Sequence, residues 1–356
     1  MPAAAALDKQ AQSLLRQGLV IPAHPLALDA SRRFDALHQR ALTRYYLASG
    51  AGGVAVGVHT TQFAIHETGT DLYGPVLKSV ADVVDAESRG RRVLKVAGVI
   101  GPTEQALREA ALARGLGYDL ALLSAGGLND WTDDELIARA KAVSQIIPVV
   151  GFYLQPSAGG RPLQYAFWRR LADLPGVVAI KVAPFNRYQT LDVLRGVAES
   201  DRASEIALYT GNDDNIISDL LTPYRFTVRG QPKEVRFVGG LLGHWAVWTS
   251  RAVDYLDRLH AVQQGGEMPQ DLLALGARWT DANGALFDVQ HGFRGSIAGI
   301  HEILRRQKLL AGRWCLDPTE DLSPGQAEEI DRVVASYPEL ADDDFVAAHL
   351  ASWLES

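Results

Sequence analysis

Lys181 and Tyr153 are the residues of this sequence whose types and spacing best suit covalent chemistry. Lys181 closes the apolar run 177–180, and Tyr153 closes the run 146–152, 28 positions earlier (181 − 153 = 28). An amine among apolar side chains has its ammonium form disfavoured, which leaves a neutral amine able to attack a ketone. A phenol beside that amine suits carbonyl chemistry. The alternative for Lys181 is a strand-end lysine that extends its ammonium into solvent.

The two residues need neighbouring strands to bring them together. Both runs are short and rich in β-branched residues, which is typical of buried parallel strands. Residues 162–172 between them fit a single crossover helix. Parallel strands joined in this way lie about 5 Å apart in the pairing direction, with their carboxyl ends at the same edge. We therefore expect the amine and the phenol to meet there.

The same alternation extends along most of the chain. Eight strands are predicted at residues 19–23, 53–57, 93–98, 120–123, 149–153, 177–181, 206–210 and 235–239. Helices are predicted at residues 31–48, 73–86, 103–116, 132–146, 162–172, 187–199, 214–221 and 249–262. Thr132 and Glu135 form a capping-box pattern at the start of the fourth of these helices.

This count predicts an α/β fold, a (β/α)8 TIM barrel with a C-terminal helical appendage. A doubly wound sheet is disfavoured because no Gly-x-Gly-x-x-Gly turn follows the first strand. We place the barrel, with a short N-terminal helix at 6–17, in residues 1–264. Residues 265–356 form the appendage, which we expect to pack on the barrel. Its helices are predicted at residues 269–277, 285–287 leading into 297–310, 324–336 and 342–354. The longer linker 222–233 is interpreted as a surface insertion.

Composition excludes several classes of protein. The net charge is −7 and no basic stripe is present, which argues against nucleic-acid binding. Cys315 is the one cysteine, so neither a disulfide framework nor a cysteine zinc site is possible. No apolar stretch has the length of a membrane span, and the start lacks a signal-peptide pattern. We expect a cytoplasmic enzyme.

Four segments resemble one family of enzymes. They are Gly-Phe-Tyr-Leu-Gln-Pro at 151–156, Val-Ala-Ile-Lys at 178–181, Tyr-Thr-Gly-Asn-Asp-Asp at 209–214, and the stretch 303–318. With the Tyr-to-Lys spacing of 28, they make the chain similar, over about residues 18–334, to the dihydrodipicolinate synthase and N-acetylneuraminate lyase superfamily. These proteins are class I aldolases, which work through a Schiff base.

The resemblance implies a mechanism and partners. Lys181 would form an imine with a 2-oxo acid, usually pyruvate, and Tyr153 would shuttle the proton. Gly211 and Asn212 would line the pocket. The implied partners are a small-molecule 2-oxo acid and an aldehyde, with neither cofactor nor metal. The resemblance also implies a homo-oligomer, a tetramer built from dimers.

The chain departs from the family where the carboxylate of the oxo acid normally binds. That turn usually reads Gly-Thr/Ser-Thr-Gly-Glu, whereas this chain has Gly-Val-His-Thr-Thr at 57–61. Val58 has no side-chain donor, so we predict that His59, Thr60 and nearby backbone N–H groups bind the carboxylate. The alternative for His59 is a strand-end histidine bonded to backbone. Ala158 replaces an arginine found in lysine-biosynthetic members, which argues against a dihydrodipicolinate synthase.

Three other groups of residues have types that could bind a ligand. The segment 212–214 could bind a metal, although capping of the next helix is favoured. His24, His59 and His66 lack regular metal-ligand spacing. The glycines at 239–243 could bind phosphate at a helix N-terminus, although tight turning is the favoured role.

The predicted function is aldol cleavage or condensation of a 2-oxo acid with an aldehyde. One alternative is dehydration of a 2-oxo-3-deoxy sugar acid through the same imine. Another is a non-catalytic barrel that binds an oxo acid as a sensor or subunit.

Overall fold

Ten strands lie within residues 4–265 and 267–355, which the computed structural model describes. They are β1 (Val20–Pro22), β2 (Gly53–Val56), β3 (Leu94–Val99), β4 (Leu120–Ser124), β5 (Val149–Leu154), β6 (Val177–Ala183), β7 (Ala207–Thr210), β8 (Tyr224–Val228), β9 (Gln231–Val235) and β10 (Phe237–Leu242). Eight of them form one sheet in the order β1-β10-β7-β6-β5-β4-β3-β2, and a parallel bridge between Ala23 and Ala55 joins its two ends. With the intervening helices this is a (β/α)8 barrel, so the predicted fold class is confirmed.

Thirteen α-helices accompany these strands in the described part of the chain. They are α1 (Lys9–Gln17), α2 (Ala36–Ala48), α3 (Tyr73–Glu87), α4 (Thr103–Gly115), α5 (Asp133–Val143), α6 (Tyr165–Ala172), α7 (Arg187–Ala198), α8 (Ile216–Leu221), α9 (Thr249–Gln263), α10 (Gln270–Leu286), α11 (Ser296–Arg306), α12 (Gln326–Ser336) and α13 (Asp343–Trp353). The predicted capping box at the start of α5 is present, because Thr132 and Glu135 bond each other's backbone N–H groups. None of the described helices is long and apolar enough to cross a membrane.

Three elements differ from the sequence prediction. Helix α2 begins at Ala36 rather than at residue 31, because the Asp35 side chain accepts from the His38 backbone N–H and caps the helix there. Helix α10 continues to Leu286 rather than ending at 277, since it buries an apolar stripe along its whole length. Most of the linker 222–233 belongs to an antiparallel hairpin of β8 and β9, which continues to Val235.

The described residues fall into two compact units. The first comprises Leu94–Leu241 and the chain up to Leu19, and therefore holds β3 to β9, most of β10 and helices α1 and α4 to α8. The second comprises Val20–Val93 and the chain from Leu242 onward, and therefore holds β1, β2 and the C-terminal helices. A separate appendage beginning at residue 265 stays a prediction.

The second unit is held together by the carboxylate of Asp342, which is 1% exposed. Its Oδ2 accepts from the Tyr45 hydroxyl at 2.8 Å and from the Ser250 hydroxyl at 3.0 Å, and its Oδ1 accepts from the Gln307 amide at 2.9 Å. The Ser250 backbone N–H, at the start of α9, also donates to it. One carboxylate thus joins α2, α9 and the segments that flank α11 and α13.

We expect Asp342→Ala to lower the free energy of unfolding by about 2–4 kcal/mol, because it leaves several buried donors without an acceptor. Urea denaturation followed by circular dichroism measures this change. Asp344→Ala, at an exposed position of α13, is the matched control and should cost less than about 1 kcal/mol. Equal losses in the two variants would contradict the role given to Asp342.

Candidate active site

The Lys181 side chain lies near the carboxyl end of β6, in the first unit. It is only 8% exposed. Its Nζ lies 4.5 Å from the centre of the Phe152 ring, and Phe152 is its partner in the register between β5 and β6. The amine therefore meets an aromatic face instead of bulk water, which stabilises a cation far less than hydration does.

Gly211 provides the space that the Lys181 side chain occupies. A Cβ atom at this glycine would lie 2.5 Å from Cε of Lys181 and 2.8 Å from Cβ of Ala183. Both distances are shorter than any ordinary contact, so a larger residue would displace the lysine. The absence of a side chain at Gly211 therefore makes room for Lys181. This is a physical reason to include Gly211 in the site.

Burial lowers the pKa of Lys181 to about 8, and the negative charge of Asp213 raises it again in part. Burial acts in this direction because it disfavours the charged ammonium. At pH 8 about half of such an amine is neutral, against about one in 300 for a lysine at its ordinary pKa. The site therefore supplies a nucleophile close to neutral pH.

Asn212 has a structural role next to this amine. Its Oδ1 accepts from the Phe185 backbone N–H at 3.1 Å, and its Nδ2 donates to Asp219 at 2.9 Å. Asp219 is fully buried and also accepts from the Thr210 hydroxyl at 2.7 Å. The resemblance implies that Asn212 lines the pocket. In the structure both ends of its amide form hydrogen bonds that fix the turn after β7.

Further donors complete the environment of Asp219. The guanidinium of Arg187 bonds its carboxylate, and the Tyr224 hydroxyl donates to it at 3.0 Å. The Asn215 amide donates from one helical turn earlier at 3.1 Å. A fully buried carboxylate with this many donors is held in one geometry. Asp219 therefore fixes the segment after β7, the strand next to the one that carries Lys181.

The structure does not bring the Tyr153 hydroxyl to Lys181. Phe152 pairs with Lys181, so Tyr153, one position further, points to the opposite face of the sheet. There its ring stacks on Trp168 of α6 at 5.0 Å, and its hydroxyl accepts from the Leu163 backbone N–H at 3.2 Å. Burial raises the pKa of Tyr153, with a further contribution from Asp192, so the phenol stays protonated.

A bulge in β6 explains why the spacing of 28 is misleading. Val149 pairs with Val177, but Val150 pairs with Ala179, so Val178 is an extra residue on its strand. From that point onward, partners on β5 and β6 are 29 positions apart. The strands are neighbours, as predicted, but the side chain that the bulge places beside Lys181 is Phe152.

His59 and Thr60 lie in a 3-10 turn after β2, in the second unit. The Thr60 hydroxyl is buried and donates to the Ala23 carbonyl at 2.7 Å, so its proton is already used. The Thr61 hydroxyl accepts from the backbone N–H groups of Gly57 and Val58, so these two nearby donors already have an acceptor. The His59 ring is partly exposed and packs edge-on against Phe63. Its role in binding a carboxylate stays a prediction.

The other candidate groups have structural partners. The His24 ring bonds the Pro25 carbonyl and the Thr43 hydroxyl, and burial lowers its pKa to about 4. His66 bonds the Gly57 carbonyl. Within residues 4–265 and 267–355, no group of three or more His, Cys, Asp or Glu side chains could hold a metal ion. At the N-terminus of α9, the alternative phosphate site, the Ser250 backbone N–H donates to the Asp342 carboxylate.

Sequence reasoning missed Phe152 and Asp219, and considered Asp213 only as a cap or metal ligand. Asp219 had a detectable signal, because it lies among Ile216, Ile217 and Leu220 in a mostly apolar helix. Phe152 had none, since its position beside the lysine depends on the bulge.

Comparisons with known proteins identify the fold. No protein-family model matches the chain. The dihydrodipicolinate synthase of Oceanobacillus iheyensis is similar over 92% of this chain and 99% of its own, with 17% identity and a TM-score of 0.72. That of Acinetobacter baumannii, solved in complex with pyruvate, is similar over 90% of this chain and 99% of its own, with 16% identity and a TM-score of 0.73.

A solved structure of a lyase is also similar. The N-acetylneuraminate lyase of Mycoplasma synoviae matches over 90% of this chain and 98% of its own, with 14% identity and a TM-score of 0.67. The chain therefore has the fold of these enzymes over nearly its whole length, and the resemblance inferred from the sequence is confirmed for the fold.

Because Lys181 is buried, we predict that this lysine lowers the free energy of unfolding at neutral pH. Because its pKa is lowered in the folded protein, the unfolded chain binds the extra proton between about pH 8 and 10.5, so wild-type stability rises with pH across that window. Lys181→Met should therefore raise the free energy of unfolding by about 1–3 kcal/mol at pH 7. The difference should shrink toward pH 10.5. Urea denaturation at several pH values measures it, and a destabilised variant at pH 7 would contradict the assignment.

Proposed function

We propose that this protein is a lyase in which the Lys181 amine forms an imine with a 2-oxo acid, and that it catalyses aldol cleavage or condensation with an aldehyde. The observation that carries the proposal is the buried amine near the carboxyl end of β6, with a pKa of about 8 and its space provided by Gly211. The shared fold supports it, since the similar solved structures are dihydrodipicolinate synthases and an N-acetylneuraminate lyase.

The chemistry follows from the neutral amine. Lys181 attacks the ketone carbon of the oxo acid, and the resulting carbinolamine loses water to give a protonated imine. This cation withdraws electrons from the adjacent carbon. A proton or an aldehyde can then leave that carbon, with the bonding electrons held in an enamine. In the other direction, the enamine attacks an aldehyde and forms a carbon–carbon bond.

The class of substrate is proposed by similarity. Pyruvate is bound in the Acinetobacter baumannii structure, so pyruvate or a related 2-oxo acid is our choice for this chain. The turn after β2 differs from the family's pattern, and the Thr60 proton is already donated to Ala23. We therefore retain the proposal that the protein is not a standard dihydrodipicolinate synthase. A homo-oligomer also remains part of the proposal.

Borohydride reduction in the presence of pyruvate, followed by peptide mass mapping, tests the imine directly. We expect a stable adduct on Lys181 and none on Lys95, a second buried lysine that serves as the internal control. Lys181→Ala should lose the adduct and all turnover while keeping its fold, because no other amine replaces the nucleophile. The absence of an adduct on Lys181 across a panel of 2-oxo acids would refute the proposal.

Tyr153→Phe tests the role that the resemblance gave to this residue. The hydroxyl lies on the opposite face of β5 from the lysine, so we expect turnover close to wild type instead of the ~10²–10⁴-fold loss of a proton-transfer group. Steady-state kinetics measures it. The free energy of unfolding should fall by about 1 kcal/mol, because the Leu163 N–H loses its acceptor. A large loss of turnover would show that the phenol reaches the substrate.

The position of Tyr153 also favours one alternative, a barrel that binds an oxo acid without turning it over. Such a protein would form the Lys181 adduct and exchange no substrate protons. Borohydride trapping of the adduct, together with exchange of the methyl protons of pyruvate in D2O followed by NMR, separates the two functions.

A further inference from the structure

Gly211 covers the stem of the Lys181 side chain. A Cβ atom at this glycine would lie 2.5 Å from Cε and 3.2 Å from Cγ of the lysine. The Gly211 backbone N–H also donates to the Val182 carbonyl at 2.8 Å, one residue beyond the lysine. The turn after β7 therefore lies along the side chain that carries the amine. If this turn moved outward, water would reach the amine, and hydration favours its charged form.

Both chain neighbours of Gly211 are bound to one oxygen of Asp219 on α8. The Thr210 hydroxyl donates to Oδ2 of this carboxylate at 2.7 Å, and the Asn212 amide donates to the same atom at 2.9 Å. The Asn212 backbone N–H donates in turn to the Thr210 hydroxyl oxygen at 3.1 Å. Because the Asp219 side chain is fully buried, water does not compete for these bonds. One carboxylate thus sets the position of the glycine that packs on the lysine.

The other oxygen of Asp219 is held by the inserted hairpin and by α7. Its Oδ1 accepts from the Tyr224 hydroxyl at 3.0 Å and from the Asn215 amide at 3.1 Å, and it pairs with the Arg187 guanidinium. Tyr224 is the first residue of β8, and Arg187 is the first residue of α7. The hairpin of β8 and β9, interpreted from the sequence as a surface insertion, therefore supplies a donor to the carboxylate that fixes the turn.

The other groups that act on the Lys181 amine belong to β5, β7 and the turn after β7. Phe152 on β5 places its ring 4.5 Å from Nζ and has no titratable atom. Tyr209 on β7 pairs with the lysine in the sheet, but its hydroxyl donates to a backbone carbonyl of α1 at 2.9 Å, and burial raises its pKa far above the ordinary value. The negative charge of Asp213 raises the pKa of the lysine. All three remain in the chain when a donor to Asp219 is removed, so the effect of that donor can be measured by itself.

We propose that Asp219 and Tyr224 are positioning residues for the Lys181 nucleophile, and that they act by holding Gly211 against its side chain. Both act through the backbone of the turn after β7 and not on the reacting atoms. With their hydrogen bonds intact, the amine stays buried and attacks the ketone in its neutral form. When a donor is lost, the turn relaxes, and water stabilises the ammonium. This inference rests on the proposed function, and it gives the inserted hairpin a part in supporting that site.

Two pairs of variants test the role of these bonds. Asp219→Asn is unsuitable, because it would leave the Arg187 guanidinium without its carboxylate. Thr210→Val instead removes one donor to Asp219 with little change of shape, and Thr210→Ser retains the hydroxyl. Tyr224→Phe removes the donor of the hairpin, and Tyr188→Phe, at a position that is 83% exposed, is its matched control.

Competitive labelling with acetic anhydride across a pH series, followed by mass mapping of the Lys181 peptide, measures the pKa of this amine without any substrate. Wild-type protein should give a midpoint near pH 8. Thr210→Val should raise the midpoint by about one pH unit, so that labelling at pH 8 falls about fivefold. Tyr224→Phe should shift it in the same direction. Thr210→Ser and Tyr188→Phe should label as wild type does, and borohydride trapping with pyruvate should move to higher pH in parallel.

Labelling curves of Thr210→Val and Tyr224→Phe that coincide with wild type would overturn the inference, even if both variants unfold at lower urea concentrations. A purely structural role lowers stability and leaves the pKa of the amine unchanged. Equal shifts in Thr210→Val and Thr210→Ser would also overturn it, and a shift in Thr210→Val alone would remove the part given to the hairpin. A wild-type protein that never forms a pyruvate adduct would refute the proposed function instead, because the labelling needs no imine.

Discussion

The burial of one amine is the constraint on which the site depends. An ammonium removed from water is destabilised by several kcal/mol unless nearby groups compensate, so its pKa falls and a neutral amine becomes available. In this protein the compensation is partial: Phe152 offers a ring face and Asp213 a charge, and the pKa of Lys181 settles at about 8. If the ammonium of this lysine were fully paired, its charged form would be more stable. A smaller fraction of it would then be the neutral, nucleophilic amine.

The region around that amine is organised by a second buried charge. Asp219 accepts hydrogen bonds from Thr210, Asn212, Asn215 and Tyr224 and pairs with Arg187. Because every donor points at one carboxylate, the end of β7 and the start of α8 cannot shift independently. Gly211 lies next to Asn212 on this segment, and its lack of a side chain leaves room for the lysine.

The fold is shared with proteins whose sequences are very different from this one. Identity to the similar solved structures is 14–17%, yet the match extends over at least 90% of this chain. Alternating strands and helices tolerate such divergence, because a core needs apolar residues of suitable volume more than particular ones. A reactive site is less tolerant, since its chemistry depends on individual atoms. The departures at Val58 and Ala158 from the pattern of the family that the sequence resembles therefore carry more information about substrate than the overall similarity does.

The sequence by itself determined the barrel and its lysine. Apolar β-branched runs, the capping box at Thr132 and the apolar stretch ending at Lys181 are local signals, and each element forms close to where they place it. Tertiary structure alone decided which side chains meet that lysine. The extra residue Val178 shifts β6 by one position, and because side chains alternate between the faces of a strand, this shift replaces Tyr153 with Phe152. Such a bulge depends on how neighbouring strands pair, which is a long-range property that no local pattern records.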